Sequence, residues 1–123
     1  MVRHFVDINN FSKKELDSIL STAKKIKGNS LRYQNIFKNK SLGLLLQKQS
    51  TRTRLSFNIG MQKLGGNVIE LDVEKIGFGK RESEEDVLRT LSQYIDCLVI
   101  RNNDHSEIQH YASLNILPII NGL

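Results

Sequence analysis

The most restrictive feature of this sequence is a polar, arginine-rich segment between a strongly apolar run and a helix-like segment. The apolar run Ser41–Leu46 contains no charged side chain, which predicts a strand buried on both faces. Residues 47–57 follow it directly and lead into a helical pattern that ends at Leu64-Gly65-Gly66. The unpaired N–H groups of a first helical turn point outward with the positive end of the helix dipole. A strand, a polar turn and a helix start in this order indicate an anion site.

The side chains of that turn are suited to phosphate or carboxylate. Ser50, Thr51 and Thr53 carry hydroxyl donors, while Arg52 and Arg54 offer planar guanidinium groups that bind anions through two hydrogen bonds. Serine and threonine are also ordinary N-caps, and arginine on a helix is usually solvated. The residue types alone therefore fit a phosphate site and a plain helix start equally well.

Strand-like and helix-like segments alternate along the rest of the chain. A capping box, Ser12 with Glu15, precedes an apolar pattern that predicts a packing helix with a lysine-rich outer face. The predicted helices span residues 13–27, 50–64, 83–95 and 104–111, the predicted strands residues 41–46, 67–73, 96–100 and 115–120, and a loop residues 74–81. Alternation of this kind predicts an α/β fold, a three-layer sandwich with a central parallel sheet and helices on both faces. The pattern does not determine the order of the strands.

Arg101 follows the predicted strand over residues 96–100, at its carboxyl end. Ligands of open α/β sheets collect beyond these ends, so Arg101 and the turn at Ser50 face one crevice if their strands are neighbours. The alternative is an arginine that caps the sheet edge or meets water. Two nucleotide-binding motifs are excluded, because Glu82 replaces the third glycine after Gly77-Phe78-Gly79 and Glu74 replaces the first glycine of a Walker A loop.

Length and composition limit the class of protein. A chain of 123 residues suits one domain. Its net charge of +5 suits an anionic ligand or a nucleic acid, but few aromatic residues accompany the basic ones, which disfavours nucleic acid. The single cysteine, Cys97, lies in an apolar run and is expected to be an inert buried thiol, and the histidines lack metal-ligand spacing. Neither a membrane span nor a signal-peptide core is present, which favours the cytoplasm.

The string Ser-Thr-Arg-Thr-Arg-Leu-Ser-Phe at residues 50–57 resembles the carbamoyl phosphate signature of the aspartate/ornithine carbamoyltransferase family. The resemblance extends to residues 64–66, 82–86, 94–96, 100–101 and 118–123. It implies one carbamoyl phosphate-binding domain over residues 1–123, a homotrimer, and no cofactor or metal. It also implies phosphate contacts from Ser50, Thr51, Arg52, Thr53 and Arg54, with Arg52 and Arg101 in catalytic roles, Arg101 being the arginine that approaches the carbamoyl oxygen and the phosphate.

Glu82-Ser83 with Asp86, and the ending at residues 118–123, look more like the ornithine branch, which converts ornithine to citrulline in arginine metabolism. The alternatives are the aspartate branch and a catalytically silent anion-binding or assembly module. Several positions depart from the family: Gln47 and Asn58 replace glutamates, and Gly77 replaces a polar residue that reaches a neighbouring subunit, with Lys80 as a candidate substitute charge. The chain stops before the His-Pro-x-Gln motif and the amine-binding second domain, so we expect phosphate binding without useful turnover.

Overall fold

Four short apolar strands form a parallel sheet within the part of the chain described by the computed structural model, residues 2–47, 50–79 and 82–123. The strands are β1 (Ser41–Leu46), β2 (Asn67–Leu71), β3 (Cys97–Arg101) and β4 (Ile119–Asn121), in the spatial order β2-β1-β3-β4. The pairs β1–β2, β1–β3 and β3–β4 are all parallel. Phe5 extends the β4 edge through one further bridge to Ile120.

The sheet carries apolar side chains on both faces, because successive residues of a strand point in opposite directions. Helix α2 (Thr51–Lys63) covers one face, and α4 (Glu84–Ser92) and α5 (His105–Ser113) cover the other. The α2 side contains Leu42, Leu44 and Val99 of the sheet with Phe57 and Met61, and the other side contains Leu45, Leu98 and Ile100 with Val87, Leu88, Ile108 and Tyr111. The predicted three-layer α/β sandwich with a parallel sheet is confirmed.

A polar side chain begins each of the longer helices. In α1 (Lys13–Gly28), the Ser12 side chain accepts from Glu15 N and the Glu15 carboxylate accepts from Ser12 N, which confirms the predicted capping box. Ser50 caps α2, Ser83 caps α4 and Asp104 caps α5. Such caps satisfy backbone donors that lack a partner within the helix, so local chemistry sets where these helices begin.

Three predicted elements differ from the structure. Strand β4 begins at Ile119 instead of residue 115, because Asn115 has φ 53°, a left-handed conformation that does not fit a strand. Strand β2 ends at Leu71 because the Asp72 side chain accepts from Glu74 N and begins a short helix, α3 (Val73–Ile76). This helix lies where a loop was predicted, and Gly77 ends it with φ 66°. Lys80, the candidate substitute charge, lies outside the described residues.

Helix α1 packs less than its apolar pattern predicted. None of its residues is buried; Ile19 is 42% and Leu20 68% exposed. Its main neighbour is the short 3₁₀ helix Ser30–Tyr33, not the sheet. The described helices include none with the length and apolar character that a bilayer span requires.

Candidate functional site

The carboxyl ends of β1 and β3 lie side by side, as the anion-site hypothesis required. Leu46, the last residue of β1, pairs with Arg101, the last residue of β3. Gln47 N donates to Arg101 O at 2.9 Å, which holds the start of the polar turn beside the arginine. From here the chain leaves β1 towards β2 and leaves β3 towards β4, on opposite sides. A divergence of this kind opens the crevice in which parallel α/β sheets bind ligands.

Ser50 shapes the first turn of α2. Its backbone is extended, with φ −156° and ψ 113°, and its Oγ accepts from Thr53 N at 3.3 Å. The same hydroxyl donates to Thr53 Oγ1 at 3.1 Å. The N–H groups of the two residues before Thr53, Thr51 and Arg52, belong to the part of the turn that no preceding helical carbonyl can satisfy. The turn therefore presents backbone donors at the positive end of the α2 dipole.

Arg101 completes this arrangement from β3. Its Nη1 donates to Thr53 Oγ1 at 2.6 Å, so the Thr53 oxygen accepts from both Ser50 and Arg101 and keeps its own hydrogen to donate. Arg101 Nε is buried and has no hydrogen-bond partner among the described residues. Buried donors are almost always paired in proteins, so an unpaired one beside a helix start is a strong sign of a missing acceptor. An anion would supply that acceptor.

The other two arginines of the predicted site are placed differently. Arg54 forms a two-point ion pair with Glu70 of β2, with Nε–Oε1 2.5 Å and Nη2–Oε2 3.2 Å, and this hydrogen bond to Glu70 raises the pKa of Arg54. Arg52 is exposed at the start of α2, and no described residue pairs with it. Of the predicted phosphate ligands, the structure therefore brings Ser50, Thr53 and Arg101 together and turns Arg54 towards the sheet edge.

A cavity of about 760 Å³ lies over the ends of β1 and β2. Ser50 and Thr51 line one wall together with Gln47, and Arg54 also lines the cavity although it is paired with Glu70. Carboxylate-bearing residues that follow or belong to β2 line the other wall: Glu70, Asp72 and Glu74. One wall thus offers hydrogen-bond donors for an anion, while on the other wall the Glu70 carboxylate is already paired with Arg54.

A polar cluster around the buried Asn102 was not predicted. Asn102 is only 6% exposed, and its Nδ2 donates to Glu107 Oε2 at 2.6 Å. The Tyr111 hydroxyl donates to Glu84 and lies 3.4 Å from Glu107 Oε2. Burial, followed by the hydrogen bond and negative charge of Glu84, raises the pKa of Tyr111. The sequence signal that could have identified Asn102 is its position as a polar residue directly after a buried strand.

Gly122, near the end of the chain, also touches the site. A Cβ atom at this position would lie 3.3 Å from Thr53 Cγ2 and 3.1 Å from Val99 Cγ1. These contacts are tighter than ordinary van der Waals packing, so a side chain here would press on Thr53. The absence of a side chain at residue 122 lets the end of β4 approach the first turn of α2.

Cys97 and the histidines are not part of the candidate anion site. Cys97, expected to be a buried thiol, is half-buried, and this burial raises the pKa of its thiol to about 11. His4 Nδ1 accepts from Ile119 N at 3.1 Å, and His105 Nε2 lies 3.6 Å from an Asp7 oxygen, so both have packing roles. Within the described ranges, no cluster of three or more His, Cys, Asp and Glu side chains is arranged to hold a metal ion.

Comparison with known proteins identifies relatives over almost the whole chain. A family model described as "Aspartate/ornithine carbamoyltransferase, carbamoyl-P binding domain" matches residues 3–123. The ornithine carbamoyltransferase of Shewanella oneidensis is 37% identical over 122 residues, covering 99% of this chain and 40% of that protein. That of Campylobacter hominis is 38% identical over 124 residues, again covering 99% of this chain and 40% of the relative.

Solved structures give the same result. Ornithine carbamoyltransferase from Pyrococcus furiosus superposes with a TM-score of 0.90 and 32% identity, over 98% of this chain and 39% of that chain. The anabolic ornithine carbamoyltransferase from Campylobacter jejuni gives a TM-score of 0.87 and 28% identity, over 99% of this chain and 40% of that chain. The chain therefore spans about two fifths of the length of these relatives.

Proposed function

Because this chain belongs to the aspartate/ornithine carbamoyltransferase family, where it corresponds to the carbamoyl phosphate-binding domain, we propose that it supplies the phosphate-binding half of an ornithine carbamoyltransferase. The observation that carries the proposal is the arrangement at the ends of β1 and β3. There the Arg101 guanidinium donates to Thr53 in the first turn of α2, while its buried Nε has no hydrogen-bond partner among the described residues.

In this proposal the phosphate of carbamoyl phosphate lies at the start of α2. Ser50, Thr51 and Thr53 contribute hydroxyl and backbone donors, and Arg52, exposed on the same turn, contributes a positive charge. Arg54 is assigned a phosphate contact as well, which requires it to leave or share Glu70. Arg101 acts with Arg52 as a catalytic residue, because its guanidinium lies beside the first turn of α2, where negative charge would develop on the carbamoyl oxygen and the phosphate.

The proposed reaction needs charge stabilisation and proximity more than a protein nucleophile. The ornithine δ-amine attacks the carbamoyl carbon, the new C–N bond forms, the C–O bond to phosphate breaks, and the amine loses a proton as phosphate leaves. Negative charge develops on the carbonyl oxygen and then on the leaving phosphate, where donors such as Arg101 are worth most. Holding the amine next to the carbamoyl carbon supplies the rest of the acceleration. No metal or cofactor takes part in this proposal.

We further propose that an amine-binding second domain is required for turnover and that the complete enzyme is a cytoplasmic homotrimer. The chain spans only 40% of its relatives, which supports the need for a further domain. The loop that begins at α3 is the proposed contact with a neighbouring subunit, although Gly77 brings no side chain to it. Light scattering that detects only monomer at high protein concentration would rule out trimer formation through this chain.

Calorimetric titration with inorganic phosphate and with carbamoyl phosphate tests the binding function. We expect measurable binding by the unmodified chain and a loss of roughly 1.5–3 kcal/mol of binding free energy in Arg52→Ala, as for a hydrogen bond to a charged group. Arg32→Ala, which removes an equally exposed arginine from the 3₁₀ helix Ser30–Tyr33, is the matched control and should bind normally. Equal affinity in Arg52→Ala and the unmodified chain would contradict the role of Arg52.

A citrulline assay tests the second half of the proposal. The 123-residue chain alone should form no citrulline from carbamoyl phosphate and ornithine above the uncatalysed rate, because in this proposal the second domain holds the amine at attacking distance. Addition of a separately expressed amine-binding domain should restore turnover. Efficient turnover by the chain alone would show that the domain is catalytically complete.

A further inference from the structure

A run of side-chain hydrogen bonds connects the buried Asn102, which directly follows Arg101, to the cavity at the ends of β1 and β2. Asn102 Nδ2 donates to Glu107 Oε2 at 2.6 Å on one side and to Gln47 Oε1 at 3.0 Å on the other. Asn102 Oδ1 accepts from the backbone N–H of Asp104. Gln47, at the other end of this run, is exposed and lines the cavity together with Ser50.

The chemistry of the partners determines which way each amide faces. The Glu107 carboxylate can only accept and the Asp104 N–H can only donate, so the Asn102 side chain has one orientation that satisfies both. In this orientation its second Nδ2 hydrogen points to Gln47, which must accept with Oε1. The Gln47 NH₂ group is then left on the opposite side of its amide. Among the residues that the structure describes, no acceptor pairs with this NH₂ group.

We propose that Gln47 is an additional ligand-contacting residue, whose Nε2 donates a hydrogen bond to a phosphate oxygen, and that Asn102 and Glu107 are positioning residues that hold it in that orientation. The inference rests on the proposed function, since it assumes that the anion lies at the start of α2. The backbone hydrogen bond from Gln47 N to Arg101 O, 2.9 Å long, holds the main chain of Gln47 beside the proposed anion.

The identity of residue 47 matters because an amide and a carboxylate at this position would have opposite effects on phosphate binding. Both can accept the hydrogen bond from Asn102, so the positioning contact survives either way. Only the amide then presents a donor to the cavity, whereas a carboxylate presents a second acceptor and a negative charge. The substitution Gln47→Glu therefore changes the proposed phosphate contact while it leaves the packing of the turn almost unaltered.

Titration with inorganic phosphate, followed by calorimetry, tests the contact. We expect Gln47→Ala to weaken phosphate binding several-fold and Gln47→Glu to weaken it by about tenfold or more, since the lost donor is joined by charge repulsion. Gln109→Glu introduces the same charge at an exposed glutamine on α5 and should leave the affinity within about twofold of the unmodified value. Unchanged phosphate affinity in Gln47→Glu would overturn the contact.

A double-mutant cycle tests the positioning role of Asn102. If Asn102 acts through Gln47, Asn102→Ala and Gln47→Ala should each weaken phosphate binding, and the double variant should bind no more weakly than the poorer single variant. Additive losses would overturn the positioning role. Thermal unfolding of each variant is followed in parallel with Asn103→Ala, an exposed neighbour, as control. Gln47→Glu tests the contact even if Asn102→Ala is unfolded at the assay temperature, because residue 47 is exposed.

The outcomes separate the two proposals. If the unmodified chain fails to bind phosphate, the proposed function fails and the Gln47 contact fails with it. If Arg101→Lys loses phosphate affinity while Gln47→Glu keeps it, the phosphate site stands and only the Gln47 contact is wrong. If both variants lose affinity and the Gln109→Glu control does not, both proposals are supported.

Discussion

Replacement of Arg101 by methionine should separate the ligand-binding role of this residue from its structural role. In the phosphate-free protein the change removes the hydrogen bond to Thr53 Oγ1, a loss of about 1.5 kcal/mol, and also removes the buried, unpaired Nε, whose burial costs about 1–3 kcal/mol. The two effects have opposite sign and similar size. We therefore expect Arg101→Met to change the free energy of unfolding by no more than about 1 kcal/mol.

Added phosphate should stabilise the unmodified chain more than it stabilises Arg101→Met. At a phosphate concentration 100 times its dissociation constant, the unmodified chain gains about 2.7 kcal/mol of stability by mass action. If Arg101→Met weakens binding by 10- to 100-fold, the same concentration adds only about 0.4–1.4 kcal/mol. Urea unfolding with and without phosphate measures both quantities.

Arg89→Met serves as the matched control for this experiment. It removes the same charge from an exposed pair with Glu85, 2.7 Å apart, and should change the stability by less than about 0.5 kcal/mol while leaving the phosphate effect intact. A loss of more than about 3 kcal/mol in phosphate-free Arg101→Met, with the phosphate gain unchanged, would refute the reasoning, since that result identifies a structural arginine.

Three further changes have defined outcomes. Ser50→Ala and Ser83→Ala each remove a helix cap and should each lower the free energy of unfolding by about 1 kcal/mol, but only Ser50→Ala should weaken phosphate binding in calorimetry. Tyr111→Phe leaves the Glu84 carboxylate without its buried donor and should lower the free energy of unfolding by about 1–3 kcal/mol in urea titrations; an unchanged value would contradict that contact. Because burial raises the pKa of Cys97 from 9.0 to about 11, its neutral form is favoured by folding, so this contribution to stability is present below pH 9 and is lost as the pH rises towards 11. Alkylation of Cys97 at pH 8 should accordingly be much slower in the folded chain than in urea, and equal rates would disprove the shift.

Local features of the chain could be predicted from the sequence because they depend on residues that are close together in it. Strand β1 has the predicted bounds Ser41–Leu46, and Ser12, Ser50 and Ser83 begin helices as predicted. Caps and apolar periodicity act over three or four residues, so no distant contact is needed to recognise them. The strand predicted over residues 115–120 shows the limit of such predictions. Its side chains are typical of a strand, but the left-handed backbone of Asn115 does not fit one.

The proposed phosphate site could be predicted only in part from local sequence features. The turn at residues 50–54 and the position of Arg101 after a strand could be found from residue types, strand ends and the family resemblance. Whether the two segments meet depends on the order β2-β1-β3-β4, which alternation of helices and strands does not specify. That Arg54 pairs with Glu70, 16 residues away, depends equally on the side-by-side placement of α2 and β2.

The sequence by itself determined an α/β fold and the positions at which helices begin, because these follow from local periodicity and capping, while the phosphate ligand was implied by the resemblance of residues 50–57 to a known family. Only the tertiary structure decided which side chains act together. Asn102 and Gln47 are 55 residues apart, and Arg101 and Thr53 are 48 apart, yet each pair forms a hydrogen bond across the ends of β1 and β3. The physical reason is that burial and strand adjacency bring such groups into one small volume, where each polar group must find a partner or remain available for a ligand.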